Sequence, residues 1–595
     1  MTMQPFMPTI APRVVLFGLL AALAWACERA APPAGSSPAG ASADVTDAAA
    51  PDASAAETSA APDGAAEVAP PADVASPDTT RTAETSSPPV LCADGAAPKK
   101  LASAPYGFLR HAVAEPFTME LLDGTTFDFA ASFTGCDTYA FIPDSIVVSE
   151  VNPVSVWTKD LVALLKASPK NTHYFFVSRL SNSADVVKAT QAMQERVGDA
   201  LNNLDEASGA HWFSRLHVAK KSALGQANWV GQVLQGHGKM GFGIDRDQRI
   251  RGFGSFADVT RSDAKLQAAG KWPWQANLAY AAHEPVFWNA QFARQAKLDA
   301  LGATVVDLWK GEVLAEFAET DVDLPGAPTM ATFDALWVEV DMRCPKANEV
   351  EFGNCGAWDY LAGLRVTGPD GKAREIARFI TTYHRESHWI VDATPMLFLL
   401  TKGGKHHFRW DFAPSWNKQP TETRLRLHLA KTGAPSRPVA GHYLWDGGAW
   451  NSKYDAAHPD IQVPIAATAK KVELWALVTG HGADKATQCA EFCNHQHHVA
   501  VSGTPYKLEF PMAGTQSQCM PQMSKGMTPN QGGTWWFGRG GWCPGQQVEP
   551  WRVALGAEAK PGSTVTVTYK GVFNGKAPPD GEGNIHLASW LVVYE

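Results

Sequence analysis

The chain has 595 residues, a formal net charge of −9, 45% apolar and 10% aromatic side chains, 9 cysteines and 21 tryptophans. That length and apolar content predict roughly two to four domains with sizeable cores, which excludes a wholly disordered chain. Much of the negative charge sits in residues 30–91, with nine acidic side chains against the single Arg81, so the body is nearly neutral and lacks the basic footprint of a nucleic-acid binder.

At the N-terminus Arg13 precedes an apolar run, VVLFGLLAALAWA (14–26). A positive residue, a short apolar run and small residues before a cut predict a secretory signal over 1–26. The run is too short to be read as a membrane span. Cys27, directly after AWA, resembles the lipobox cysteine of bacterial lipoproteins, although Trp25 is bulkier than that pattern and Leu23 lies one place too far upstream. The resemblance implies an exported protein, lipid-anchored through Cys27 in the bacterial envelope and touching the membrane only there. Cleavage and release is the alternative. Residues 27–95 read as a tether, because an Ala/Pro/Ser/Thr-rich segment cannot bury enough apolar surface to offset its ordering entropy. Export also means that cysteines pair. Proximity along the chain suggests Cys344–Cys355, Cys489–Cys493 and Cys519–Cys543, with Cys92 and Cys136 as the remaining couple.

Residues 96–299 read as α/β. HYFFVS (173–178) is strand-like, residues 186–204 have helical spacing, and GFGIDRDQRIRGFGSF (241–256) looks like a hairpin around a DRDQ turn. A cysteine loop, a helix, a strand and a late hairpin resemble a thioredoxin-like fold. Dithiol chemistry needs Cys-x-x-Cys, and Tyr139 occupies the third place after Cys136, so no redox activity is expected.

From residue 300 onward short strand-like runs alternate with Gly/Pro turns, among them ALWVEVDMRC (335–344), KVELWALVTG (471–480) and HLASWLVVY (586–594). This pattern predicts β-sandwiches or jelly rolls. The segment is too long for one small sandwich, so two side by side are expected, 300–440 and 441–595. The fold class is therefore multidomain and mainly β: two adjacent antiparallel jelly rolls preceded by a thioredoxin-like α/β domain, expected as a monomer.

Four stretches of this half can carry chemistry: CGAWDY (355–360), FRWDF (408–412), CAEFC (489–493) and GRGGWCPG (538–545). The stretch CAEFCNHQHH (489–498) could be a metal site, a redox site, or a carboxylate held by a disulfide. Asp359, Asp411 and Glu491 with Arg539 suffice for metal-free hydrolysis. One carboxylate would activate water, another would bind polar groups, and the arginine would steady charge on a carbonyl oxygen. Neighbouring tryptophans suit the C–H faces of sugars.

In this order the motifs resemble the bacterial peptide-N-glycosidase F family, amidases that release N-glycans from asparagine. CPKANEVEFGNCGAWDY (344–360) resembles that family's Cys-to-Cys loop before Trp-Asp. EIARFITTY (375–383), CAEFC and RGGWCPG (539–545) resemble its Arg-Phe-Ile-Thr strand, its Cys-Ala-Glu-Trp-Cys loop and its Arg-x-Gly-Trp-Cys-Pro-Gly turn. The resemblance covers about 300 to the end and implies two adjacent jelly rolls with the three disulfides proposed. It implies catalytic roles for Asp359, Glu491, Arg539 and, by a weak alignment, Asp411. It also implies substrate contacts from Trp358, Tyr360, Phe492, Trp542 and His497, with His495 and His498 left as strand or surface residues. Neither metal nor cofactor is implied. N-glycosylated proteins or peptides would be the substrates, and asparagine would become aspartate as a glycosylamine leaves. Tyr360 stands in place of the family's arginine, Phe492 in place of a tryptophan, and TGHG (479–482) where Gly-Trp-Gly-His is usual. A non-catalytic carbohydrate-binding lipoprotein and a surface adaptor are the competing readings.

Overall fold

The computed structural model describes residues 91–144, 155–262, 274–483, 486–487 and 489–595. The expected signal segment, Cys27 and all but the end of the tether lie outside the described residues.

The α/β region is built on a five-stranded sheet in the order Leu216–Val218, Thr172–Val177, Thr138–Pro143, Phe242–Ile244, Ile250–Gly252. The first three strands run parallel and the last two antiparallel. The two central strands are buried at every position, because apolar clusters cover both faces of the sheet. Ala140, Ile142, Tyr174 and Phe176 point into one cluster, and Tyr139, Phe141, Phe175 and Val177 into the other. The expected helix spans Ser183–Asn202, capped by Asn182, whose side chain accepts from the amides of Ala184 and Asp185. Its buried residues Val186, Thr190, Met193, Val197 and Ala200 keep the spacing of one helical face. The hairpin at 242–252 is present. One detail differs from expectation: Cys136 precedes the strand Thr138–Pro143 instead of following a strand into a helix. It is bonded to Cys92, so it ties down the chain's entry into the domain.

The first jelly roll packs two four-stranded antiparallel sheets. One has the order Thr304–Leu314, Thr421–Ala430, Ala335–Arg343, Ser387–Asp392, and the other Phe317–Leu324, Gly404–Asp411, Leu361–Thr367, Ala373–Ile380. The second repeats the arrangement with Pro438–Ala449, Asn584–Tyr594, Lys471–His481, Trp551–Leu555 against Ile461–Pro464, Thr564–Val572, Gln496–Val501, Thr504–Glu509. The border expected at 440/441 falls inside strand Pro438–Ala449, which belongs wholly to the second roll.

Strand Lys471–His481 explains how the rolls join. Its alternate residues Leu474, Ala476 and Val478 fill its own core, while Trp475 and Leu477 enter the core of the first roll. Strand Asn584–Tyr594 does the same, with Leu591 and Val593 inward and Trp590, Val592 and Tyr594 outward. Period-two alternation with both sets apolar means burial on both faces. Arg378, 2% exposed, adds a polar tie across the border. Its Nη1 donates to Thr479 Oγ1 at 3.0 Å and His586 O at 2.7 Å.

The long segment between strands Thr504–Glu509 and Trp551–Leu555 leaves the second roll and enters the α/β core. Cys519, Met523, Met527, Trp535, Trp536 and Cys543 cluster with Tyr174, Phe176, Tyr280 and Trp288. The α/β region therefore shares a core with the β half.

Candidate active site

Asp359 lies between the Cys344–Cys355 disulfide and strand Leu361–Thr367. One threonine grips the backbone on both sides of it. Thr381 Oγ1 donates to Trp358 O at 2.6 Å and accepts from Tyr360 N at 2.8 Å. Its amide donates to Tyr360 O at 2.9 Å.

Glu491 stands inside the loop closed by Cys489 and Cys493. Its amide donates to Gly482 O at 3.0 Å and its carbonyl accepts from Gly540 N at 2.6 Å. Its carboxylate accepts from Gly482 N at 3.1 Å. The backbones come too close for a side chain at 540, where a Cβ would lie 2.6 Å from Ala490 O and 2.3 Å from His495 Nε2.

Arg539 joins the two carboxylates. Its Nη2 lies 3.3 Å from Asp359 Oδ2 and its Nε 3.4 Å from Glu491 Oε1. The rest of the guanidinium fork donates to Thr534 O at 3.0 Å, Phe537 O at 2.7 Å, Thr534 Oγ1 at 2.9 Å and the Tyr383 hydroxyl at 3.3 Å. The ring of Trp542 lies 4.9 Å below the guanidinium carbon and Phe492 5.7 Å from it. With its donors engaged and only 2% exposed, Arg539 holds the carboxylates in place. It is not directed at a substrate carbonyl, the role expected from sequence.

The carboxylates remain reachable, with side chains 12% and 19% exposed for Asp359 and Glu491. Burial raises the Asp359 pKa, opposed by Arg539 and by a hydrogen bond with Tyr383. Burial likewise pushes Glu491 up to about 7; Arg539 opposes this and the Asp359 charge adds to it. Two carboxylates sharing one cation in a desolvated site is the arrangement that moves an acid toward neutral pH.

Not every expected site residue joins this cluster. Asp411 ends its strand in the grip of two arginines, with Arg365 Nη1 2.5 Å from Oδ2 and Arg409 Nε 2.8 Å from Oδ1, apart from the Arg539-bridged pair. Trp542 is 5% exposed and buried under Arg539, stacked on His481 with ring centroids 4.8 Å apart, so it offers no open face to a sugar. His497 is fully buried and hydrogen-bonds Tyr569 at 2.5 Å and His495 at 2.7 Å. It supports the loop from behind and does not meet substrate. His495, expected in a strand or at the surface, is also fully buried, against Gly480 and Gly540. His498 is exposed. Trp358, Tyr360 and Phe492 are half-buried.

Two residues were missed. Tyr383 contacts both Asp359 and Arg539; its only signal was its place at the end of EIARFITTY. Trp416 is 65% exposed and meets Tyr360 edge-on at 6.1 Å, while Asn417 Nδ2 donates to the Tyr360 hydroxyl at 2.7 Å. Cys489 and Cys493 are spent on a disulfide, so their thiolates are not metal ligands. Among the described residues no cluster of three or more His, Cys, Asp or Glu side chains is arranged to hold a metal ion.

Residues 449–592 match the family described as "Peptide-N-glycosidase F, C terminal". The chain is 22% identical over 294 residues to peptide-N(4)-(N-acetyl-beta-D-glucosaminyl)asparagine amidase F of Elizabethkingia miricola, covering 44% of this chain and 73% of that one. A crystal structure of a peptide-N(4)-(N-acetyl-beta-D-glucosaminyl)asparagine amidase superposes with a TM-score of 0.40 at 18% identity, covering 49% of this chain and 96% of that one. A structure of PNGF-II superposes with a TM-score of 0.37 at 11% identity, covering 56% and 70%. By its motifs in order and the match over residues 449–592, the β half of the chain is similar to the peptide-N-glycosidase F family.

Proposed function

We propose that this protein hydrolyses the amide bond between an asparagine side chain and its N-linked sugar. The observation that carries the reading is the pair of largely buried carboxylates, Asp359 from the first roll and Glu491 from the second, set on one buried arginine at their border. Asp359 takes a proton from a water molecule as the water oxygen bonds to the amide carbon. The carbon–nitrogen bond then breaks while Glu491, whose pKa is about 7, gives a proton to the leaving nitrogen. Aspartate stays in the peptide and a glycosylamine departs. Asp411 stays outside these steps. Trp358, Tyr360, Phe492 and the exposed Trp416 form the aromatic surroundings that suit a sugar's C–H faces.

Four disulfides fit an exported protein. Anchoring through Cys27 and a monomeric state complete the reading. The sheet order of residues 138–252, parallel strands followed by an antiparallel hairpin, supports a thioredoxin-like scaffold without dithiol chemistry.

The competing reading, a carbohydrate-binding lipoprotein that keeps the cleft without catalysis, draws on Tyr360 in the place of the family arginine and on the open ring of Trp416. One experiment separates them. Protein produced in an oxidising compartment is incubated with an N-glycopeptide and the peptide is weighed by mass spectrometry. Loss of the whole glycan with asparagine converted to aspartate, abolished in Asp359→Ala, supports the amidase. Glycan binding without conversion supports the lectin-like reading.

A further inference from the structure

The α/β region shares a core with the β half, and its most buried charge reaches the loop that shapes the candidate site. Glu284, in helix His283–Asp299, is fully buried. Its carboxylate takes Arg385 in a two-pronged pair, Nη1 to Oε1 at 2.9 Å and Nη2 to Oε2 at 3.2 Å. It also accepts from Gly254 N at 3.0 Å and from Asn530 Nδ2 at 2.9 Å. Arg385 completes its fork on Glu351, on Pro529 O at 2.8 Å and on Gly252 O at 3.3 Å. The α/β region, the first roll and the long segment of the second roll thus meet on one guanidinium.

Arg385 lies four residues after Thr381, which grips the backbone around Asp359, and two after Tyr383, which touches Asp359 and Arg539. The loop between them has little freedom. Thr382 Oγ1 hydrogen-bonds Arg385 O, Tyr383 N donates to Gln531 Oε1 at 2.9 Å, and Gly532 N donates to Tyr383 O at 3.0 Å. Gly254 approaches so closely that a Cβ there would lie 2.1 Å from Arg385 Nη1 and 2.1 Å from Asn530 O. A buried, fully bonded charge has one geometry, and losing a partner leaves the other charge uncompensated. Displacement of Arg385 would pass along 381–385 to Tyr383 and the Asp359 backbone.

We infer that the α/β region is an obligate part of the active centre, and that Glu284 is a positioning residue which, through Arg385 and the 381–385 loop, sets Tyr383 and Asp359 for the reaction. The inference rests on the amidase reading for its activity arm only.

The test compares Glu284→Gln with Arg294→Gln in the full chain. Arg294 lies on the same helix and also docks it to the β half, through Gln547 Oε1 and His388 O, both at 3.3 Å, but not through the 381–385 loop. For protein with native circular dichroism, Glu284→Gln is expected to lower kcat about 10- to 100-fold with KM within about threefold, since misplacement acts on the bound state. Glu284→Asp, which keeps the charge, is expected to recover part of the loss, and Arg294→Gln to stay within about twofold of the parent. Hydrogen–deuterium exchange is expected to rise in the peptides covering 355–362 and 376–385 for Glu284→Gln and not for Arg294→Gln, whose own contact is at His388. Unchanged exchange there in folded Glu284→Gln, or equal kcat losses in both variants, would overturn the inference. If Glu284→Gln does not fold, Glu284→Asp carries the same comparison with Arg294→Gln. If the parent cleaves no glycopeptide, the amidase reading falls by itself, and the exchange data still decide whether Glu284 sets the loop.

Discussion

Two glutamates in the β half, Glu339 and Glu491, are buried beside cations and end in opposite states. Glu339 projects from strand Ala335–Arg343 away from the core of its roll and is 2% exposed. Arg426 Nη2 lies 2.6 Å away, His428 Nε2 2.7 Å and His388 Nε2 3.1 Å, all from flanking strands. Burial pushes its pKa up, but the histidine bonds and the cationic charge carry it well below the usual range. Burial raises Glu491 too, but it shares its one arginine with Asp359 and is pushed up to about 7. A carboxylate with an arginine to itself and two histidine hydrogen bonds is held in its ionised form and serves the sheet. A carboxylate that must share a cation is left able to exchange a proton.

That contrast can be broken or sharpened by substitution. The largest effect is expected at Asp359, where Asp359→Asn should lower kcat/KM on an N-glycopeptide by about 10³–10⁴-fold while leaving the thermal midpoint nearly unchanged. Glu491→Gln should cost about 10²-fold in kcat. Because Glu491 acts in its protonated form, kcat of the parent should fall as pH rises through about 7, and the variant should lose that limb. A kcat that instead rises through that pH would assign Glu491 the role of base. Glu339→Gln should leave activity within about twofold but cost about 1–3 kcal/mol in denaturant unfolding at neutral pH. The sign follows from its lowered folded pKa: the stabilisation is in place above the unfolded value of 4.5 and is lost as pH falls toward the folded one. The gap between parent and Glu339→Gln should therefore narrow in acid. The smallest effect is expected at Asp411, whose arginine pairs are partly open to solvent. Asp411→Asn should change stability by less than about 1 kcal/mol, read from the same unfolding curves. A loss of activity as large as that of Asp359→Asn would return Asp411 to the catalytic set.

Local chemistry was legible in the chain. Proximity along an exported chain suggested the couples 344–355, 489–493 and 519–543 out of the several pairings six cysteines allow, and these are the bonds the structure forms. Short runs between Gly/Pro turns gave the strands, 471–480 and 586–594 among them, and the structure buries these two on both faces. Asp359, Glu491 and Arg539 were legible because their short motifs occur together, in an order that resembles one family.

The sequence by itself thus determined secondary structure, disulfide couples and the three charged groups, because all of these follow from periodicity and from residues close along the chain. Only the tertiary structure decided what those groups do to one another. The pairing of Asp411 with Arg365, the burial of Trp542, His495 and His497, the insertion of 519–543 into the α/β core and the Glu284–Arg385 pair all depend on residues far apart in sequence. Such pairings depend on which faces two sheets turn toward each other, and on the low dielectric created once they close. Neither exists until the chain has folded.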